Sequence, residues 1–217
     1  MEILPPAQRA LWSRLAAVGK LGFVLYGGTA IALRLGHRIS VDFDFFSDRS
    51  FTSQELLRVC DFLAGTVVLQ EQPDSYTVLV PDGASESSGV KVSFFGGLGF
   101  GRVGKPSITD DAVLQVASLE DLMATKLKVV MQRVESRDYL DIAAMVAAGV
   151  RLDNGLAAAR VLYGRSFQSN ECLKALVYFH GGDLDALNSA HKQLLVNAVR
   201  AVGDLPTCVK ASAVLSI

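Results

Sequence analysis

The seven residues Ser40-Val41-Asp42-Phe43-Asp44-Phe45-Phe46 admit few local structures. Apolar residues alternate with two carboxylates, a period of two that belongs to a strand with one face buried. In that register Asp42 and Asp44 share one face. Val41, Phe43 and Phe45 point to the other, into a core. Carboxylates so close repel each other and invite a divalent cation. Magnesium suits such a site, since one or two carboxylates hold it while phosphate oxygens and water complete its shell. Upstream, Phe23 to Tyr26 reads as a short apolar strand that runs into Gly27-Gly28-Thr29 and then a helical stretch, Ala30 to Leu35. A glycine turn feeding a helix N-terminus turns backbone N–H groups and the positive end of the helix dipole toward a phosphate. Thr29 stands there as a phosphate ligand, a helix cap or both. Arg34 and Arg38, four apart at the helix and its exit, are each placed to reach a phosphate or to form a surface pair. His37 beside them reads as structural.

Half of the 217 residues are hydrophobic and a fifth are charged, enough for one compact unit or two small subdomains. A formal net charge of −1 argues against indiscriminate nucleic-acid binding, which draws on a basic surplus. Cys60, Cys172 and Cys208 are scattered and form no CxxC pair, so they read as free or buried thiols in a reducing compartment. The opening MEILPPAQRALWSRL does not read as a signal peptide, and no apolar run nears the ~20 residues that span a bilayer. A cytoplasmic protein without membrane contact is expected.

Residues 7–18 place Ala10, Leu11, Leu15 and Val18 at helical spacing. After the Asp-x-Asp strand, Thr52 or Ser53 begins a helix with Glu55 in the capping-box position. Residues 66–71 and 75–80, joined by Pro73-Asp74, form a hairpin. Residues 81–89 are a polar loop, and Val90 to Phe95 is the next strand. From Ser118-Leu119-Glu120-Asp121, a capping-box start, the chain reads as helices, including 154–163, 171–179 and 185–202. Leu119, Leu122, Met123, Leu127 and Val130 make a buried face. Lys126 and Arg133, seven apart, would lie within roughly 20° of one another on a continuous helix. Ser136 reads as a fresh N-cap that splits the run, and Arg137 with Asp141 as a surface i,i+4 pair. Tyr139 reads as packing.

The order Gly-Gly turn, then Asp-x-Asp about a dozen residues on, resembles the signature of the nucleotidyltransferase superfamily. The fuller string Gly-Gly-Thr-Ala…His-Arg-x-Ser-x-Asp-Phe-Asp-Phe-Phe is similar to one branch of it, the AbiEii/AbiGii-type nucleotidyltransferase toxins. Lys126, Arg133, Arg137, Asp138 and Asp141 match that branch's second motif, a Lys followed by an Arg and then Arg-Asp-x-x-Asp-apolar. The resemblance implies an α+β fold: a small mixed β-sheet nucleotidyltransferase core with flanking helices over 1–117, and a C-terminal helical bundle over 118–217 that closes the cleft. It implies transfer of a nucleotide from an NTP to an RNA hydroxyl, at a tRNA 3′ end, by the toxin of a toxin–antitoxin pair. Asp42 and Asp44 would hold magnesium and Gly27, Gly28 and Thr29 would cradle phosphates. Lys126 would donate to a phosphate oxygen, with Arg38 or Arg133 as a further clamp. Asp138 would orient or deprotonate the acceptor, or supply a missing acid. That last role arises because the superfamily carries a third acid on the strand occupied here by Lys91 and Ser93. Two alternatives stay open: a small-molecule, antibiotic-type nucleotidyltransferase, and a non-catalytic nucleotide-binding module.

Overall fold

A computed structural model describes residues 3–83 and 88–217, so residues 84–87 of the expected polar loop lie outside the described residues. The chain divides into two compact units. The first comprises residues up to Gly101, Lys105–Ala117 and Ser212–Ile217; the second comprises Arg102–Gly104 and Ser118–Ala211.

The first unit opens with α1 (Pro6–Trp12), begun by a proline in the first turn, where a missing N–H costs no helical hydrogen bond, and α2 (Ala16–Lys20). A 3-10 turn at Ser13–Leu15 separates them, so the expected lead-in helix is two short helices. Then follow β1 (Val24–Tyr26), α3 (Gly27–Leu35), β2 (Asp42–Phe46), α4 (Ser53–Val59), β3 (Val67–Gln72), β4 (Ser75–Pro81), β5 (Gly89–Phe95), β6 (Ser107–Ile108) and β7 (Gln115–Val116). Among the described residues these strands form one mixed sheet in the order β3-β4-β5-β2-β1-β7-β6. β2 runs parallel to β5 and β1 parallel to β7; the remaining neighbours are antiparallel. The β3–β4 turn holds Asp74 in the left-handed region at φ 57°, and Thr52 with Glu55 closes the expected capping box on α4.

The core of this unit is aromatic. Phe45 stacks on Phe43 and on Phe94 of β5, and Phe94 meets Phe23 edge to face. Trp12 leans on Phe43 and donates its indole N–H to Asp111 at 2.7 Å. Val41 departs from expectation. It is 56% exposed, because the strand pairing begins only at Asp42 and leaves Val41 on the loop before it.

The second unit contains α5 (Leu119–Val129), α6 (Ser136–Ala147), α7 (Leu152–Tyr163), α8 (Ser169–Val177) and α9 (Ser189–Arg200). Ser118 caps α5, accepting from the Asp121 amide at 3.1 Å and donating to its carboxylate at 2.8 Å. Gly155 lets α7 lie directly on Met123 of α5, where any Cβ would collide. Ser136 does split the helical run, but its hydroxyl is not the cap. Both its hydroxyl and its amide donate to Asp183, at 2.7 and 2.6 Å, and these bonds hold the Asp183 carboxyl below its usual range. Tyr139 packs in the core and donates to the Ala175 carbonyl at 3.0 Å. Burial pushes the Cys60 thiol up to about 11 and Cys172 to about 12, so both stay protonated and inert near neutrality. After Arg200 no helix forms among the described residues. The fold class is the expected one: a mixed sheet with flanking helices, followed by a helical region. No helix among the described residues is long and apolar enough to cross a membrane.

Candidate active site

The site grows from β2. Alternation buries Phe43 and Phe45 completely and leaves Asp42 and Asp44 half-buried on the opposite face. Sheet register then decides what stands beside each carboxylate. Asp44 pairs with Tyr26 of β1 on one side and with Ser93 of β5 on the other. Asp42 pairs with Lys91, and the Lys91 ammonium lies 3.2 Å from an Asp42 carboxylate oxygen. The Val-Lys-Val-Ser run of β5 carries the same period of two as β2, which is the signal that would have found this pairing.

Because Tyr26 sits opposite Asp44, the next residue begins α3 against that carboxylate. Gly27 adopts φ +69°, and a Cβ there would run into Asp44. A Cβ on Gly28 would meet the Arg38 guanidinium and, at 3.0 Å, the Ser40 hydroxyl. No side chain caps α3. The Asp44 carboxylate and the Arg38 guanidinium therefore lie directly against two bare Cα positions, where any side chain would collide with them. Arg38 also donates to the Ile39 carbonyl at 3.0 Å. Gly27→Ala should destabilise the protein by about 1–2 kcal/mol, from backbone strain and displacement of Asp44. A thermal melt indistinguishable from wild type would mean that the turn is not seated against Asp44.

Thr29 does not cap α3. It is buried, and its hydroxyl donates to the Asp42 backbone carbonyl, with Gln8 donating to the same oxygen at 3.4 Å. It ties the helix start to the carboxylate strand. Arg34 turns the other way, toward the carbonyls of Ala117 and Val116 and the Ser107 hydroxyl at 2.7–2.9 Å.

In the helical unit, Lys126 on α5 lies 2.7 Å from both Asp138 and Asp141 on α6. Lys126 is 6% exposed and both aspartates are fully buried. Arg133 adds a forked contact to Asp138 at 2.8 and 3.2 Å. It does so from the loop between the helices: α5 ends at Val129, so Lys126 and Arg133 do not share a helix. Burial alone would raise the Asp138 carboxyl; hydrogen bonds from Arg133 and the Lys126 charge outweigh it and hold it below the usual carboxylate range. Asp141 belongs to this cluster rather than to a surface pair, while Arg137 donates to Glu135 at 2.6 Å.

Among the described residues no group of three or more His, Cys, Asp and Glu side chains gathers to hold a metal. The two β2 carboxylates fit magnesium in the manner that leaves most of its shell to phosphate and water. The amides of the α3 N-terminus beside them are the groups that favour such a phosphate.

The family model for the nucleotidyl transferase AbiEii toxin, a type IV toxin–antitoxin system, matches residues 9–203. Uncharacterized protein aq_aa25 of Aquifex aeolicus (strain VF5) is 30% identical over 145 residues, 65% of this chain; the match spans 66% of that relative's length. Two solved structures share the fold. An antigenic nucleotidyltransferase-like protein from Paracoccidioides brasiliensis aligns with a TM-score of 0.55 at 16% identity, over 90% of this chain and 93% of its own. MenT4, a nucleotidyltransferase toxin from Mycobacterium tuberculosis H37Rv, aligns with a TM-score of 0.52 at 14% identity, over 91% of this chain and 92% of its own.

Proposed function

The chain belongs to the nucleotidyl transferase AbiEii toxin family, and on that premise we propose that it moves a nucleotide from an NTP to an RNA hydroxyl, at a tRNA 3′ end, as the toxin of a toxin–antitoxin pair. The observation that carries the reading is the seat of the Gly27-Gly28 turn against Asp44, one strand position pair from Asp42. It supports the reading by bringing the amides of a helix N-terminus beside a carboxylate pair, groups suited to phosphate and to a divalent cation. Magnesium, when bound, supplies Lewis-acid neutralisation of the charge on the triphosphate.

Asp42 and Asp44 hold that cation. The amides of the Gly27-Gly28-Thr29 turn and the Arg38 guanidinium hold and orient phosphate oxygens. The Thr29 hydroxyl keeps the turn in register with Asp42. Such positioning is most of the work in phosphoryl-type transfer, which leaves the protein little covalent chemistry. Lys126, held between Asp138 and Asp141, and Arg133 beside it form the buried charge cluster of the helical unit. Asp138, with its carboxylate engaged by both cations, serves as their positioning residue. A cognate antitoxin protein is the partner that family membership implies.

The test pairs the purified protein with an Asp42→Ala/Asp44→Ala double variant, magnesium, each radiolabelled NTP in turn, and total cellular RNA. Label in a tRNA-sized band, lost in the variant, supports the proposal and identifies the nucleotide. Magnesium-dependent NTP binding without labelled RNA overturns the RNA acceptor and directs the search to small molecules. No binding at all sinks the transferase reading.

A further inference from the structure

We propose that Lys91 is a positioning residue of the carboxylate pair: its ammonium is a built-in positive charge at Asp42, so that the site takes one divalent cation and not two. The inference rests on the transferase reading above.

Parallel register places Lys91 beside Asp42 and Ser93 beside Asp44, so the four side chains stand on one face of the sheet. Of the two positions on β5 that adjoin the pair, one holds a cation and the other a neutral hydroxyl. Neither adds the third carboxylate that a second divalent ion would need. The Lys91 ammonium already sits 3.2 Å from Asp42. Paired metals lie about 3.5–4 Å apart, so a second ion on Asp42 would compete for space and charge with that ammonium. The pair is anchored on two central strands of the sheet, so the backbone positions of Lys91 and Asp42 are fixed beside one another while the Lys91 side chain is partly exposed. The charges balance with one ion. Two carboxylates and one ammonium leave a single negative charge, and a divalent cation turns this to a single positive charge facing the triphosphate. Lys91 therefore does two opposed things. It weakens the hold of Asp42 on a free cation, and it replaces the charge of a second one during transfer.

That opposition makes the test specific. Mn2+ is titrated into the protein, with and without a non-hydrolysable NTP analogue, and the free ion is counted by electron paramagnetic resonance. Wild type should bind one Mn2+ per chain in both conditions. Lys91→Met should bind the ion roughly three- to tenfold tighter without nucleotide, because a like charge is removed, and yet transfer more slowly. Lys91→Arg should restore the wild-type affinity and most of the rate. Lys91→Asp, which creates a third carboxylate, should bind two ions with nucleotide present. Two ions on wild type, or a Lys91→Met variant whose Mn2+ affinity is unchanged or weaker, would overturn the proposal. Asp42→Ala keeps the two readings apart. Unaltered Mn2+ binding there removes the carboxylate site itself. Lost binding there, with Lys91→Met behaving as wild type, removes only the role of Lys91.

Discussion

Replacing Asp44 by Asn should slow nucleotide transfer on the order of a thousandfold while moving the melting temperature by no more than about 4 °C. Asn keeps the size of the side chain and removes its charge. The position is half-buried on the outer face of β2, so the aromatic layer made by Phe43, Phe45 and Phe94 is untouched. On the proposed reading the same change would strip the cation of one of its two carboxylate ligands and leave a neutral amide against the Gly27 turn. Initial rates at saturating NTP, run beside thermal melts, separate the two effects. A rate within tenfold of wild type would remove Asp44 from the metal site. A melt lowered by 10 °C or more would make it a structural residue.

Lys126→Met should be the most destabilising single change in the helical unit, by about 3–5 kcal/mol at neutral pH. It leaves Asp138 and Asp141 fully buried with one of their cations gone. An apolar replacement of similar length fills the space, so the cost is electrostatic rather than a cavity. Its pH dependence identifies it. In wild type the Asp138 carboxyl is held below its usual range, so its contribution is present above the unfolded value and is lost as pH falls through the folded one. Without Lys126 the burial contribution is opposed by less, and the carboxyl rises. Protonation then relieves the variant, whose deficit against wild type should be largest near pH 7 and shrink toward pH 4. Denaturant melts across that range check the sign. A deficit that is constant with pH would assign the loss to packing.

Local pattern revealed the parts of this fold that depend on neighbours in sequence. The alternation of Asp42 to Phe46, the glycine turn, the Thr52–Glu55 capping box and the Ser118 cap all rest on residues within a few positions of each other. Val41 was misplaced because alternation does not say where strand pairing starts. Thr29 was read as a phosphate ligand, a helix cap or both; the partner of its hydroxyl, the Asp42 carbonyl, is set by how β1, α3 and β2 stack. Lys91 could be recognised as a departure from the third acid, but its contact with Asp42 depends on the register of β2 against β5, with α4 and both strands of the β3–β4 hairpin between them in the chain. The same holds for Asp183, which satisfies Ser136 from 47 residues away. In the Lys126 cluster the residues were legible from the motif they match. Their burial was not, since a helix carrying Lys, Arg and Asp at these spacings reads equally well as a solvated face.

The tail has a consequence for how the molecule is built. The Leu215 amide donates to Asp48 and the Ile217 amide to Gln115, both at about the length of ordinary backbone bonds, so residues 212–217 complete the unit that carries the carboxylates. Residues 118–211 therefore lie between two stretches of chain that belong to that unit. The entropy of closing such an insert grows only logarithmically, about 0.6 kcal/mol for each doubling of its length. The helical part is thus free to lengthen or shorten at small cost to the sheet that holds Asp42 and Asp44.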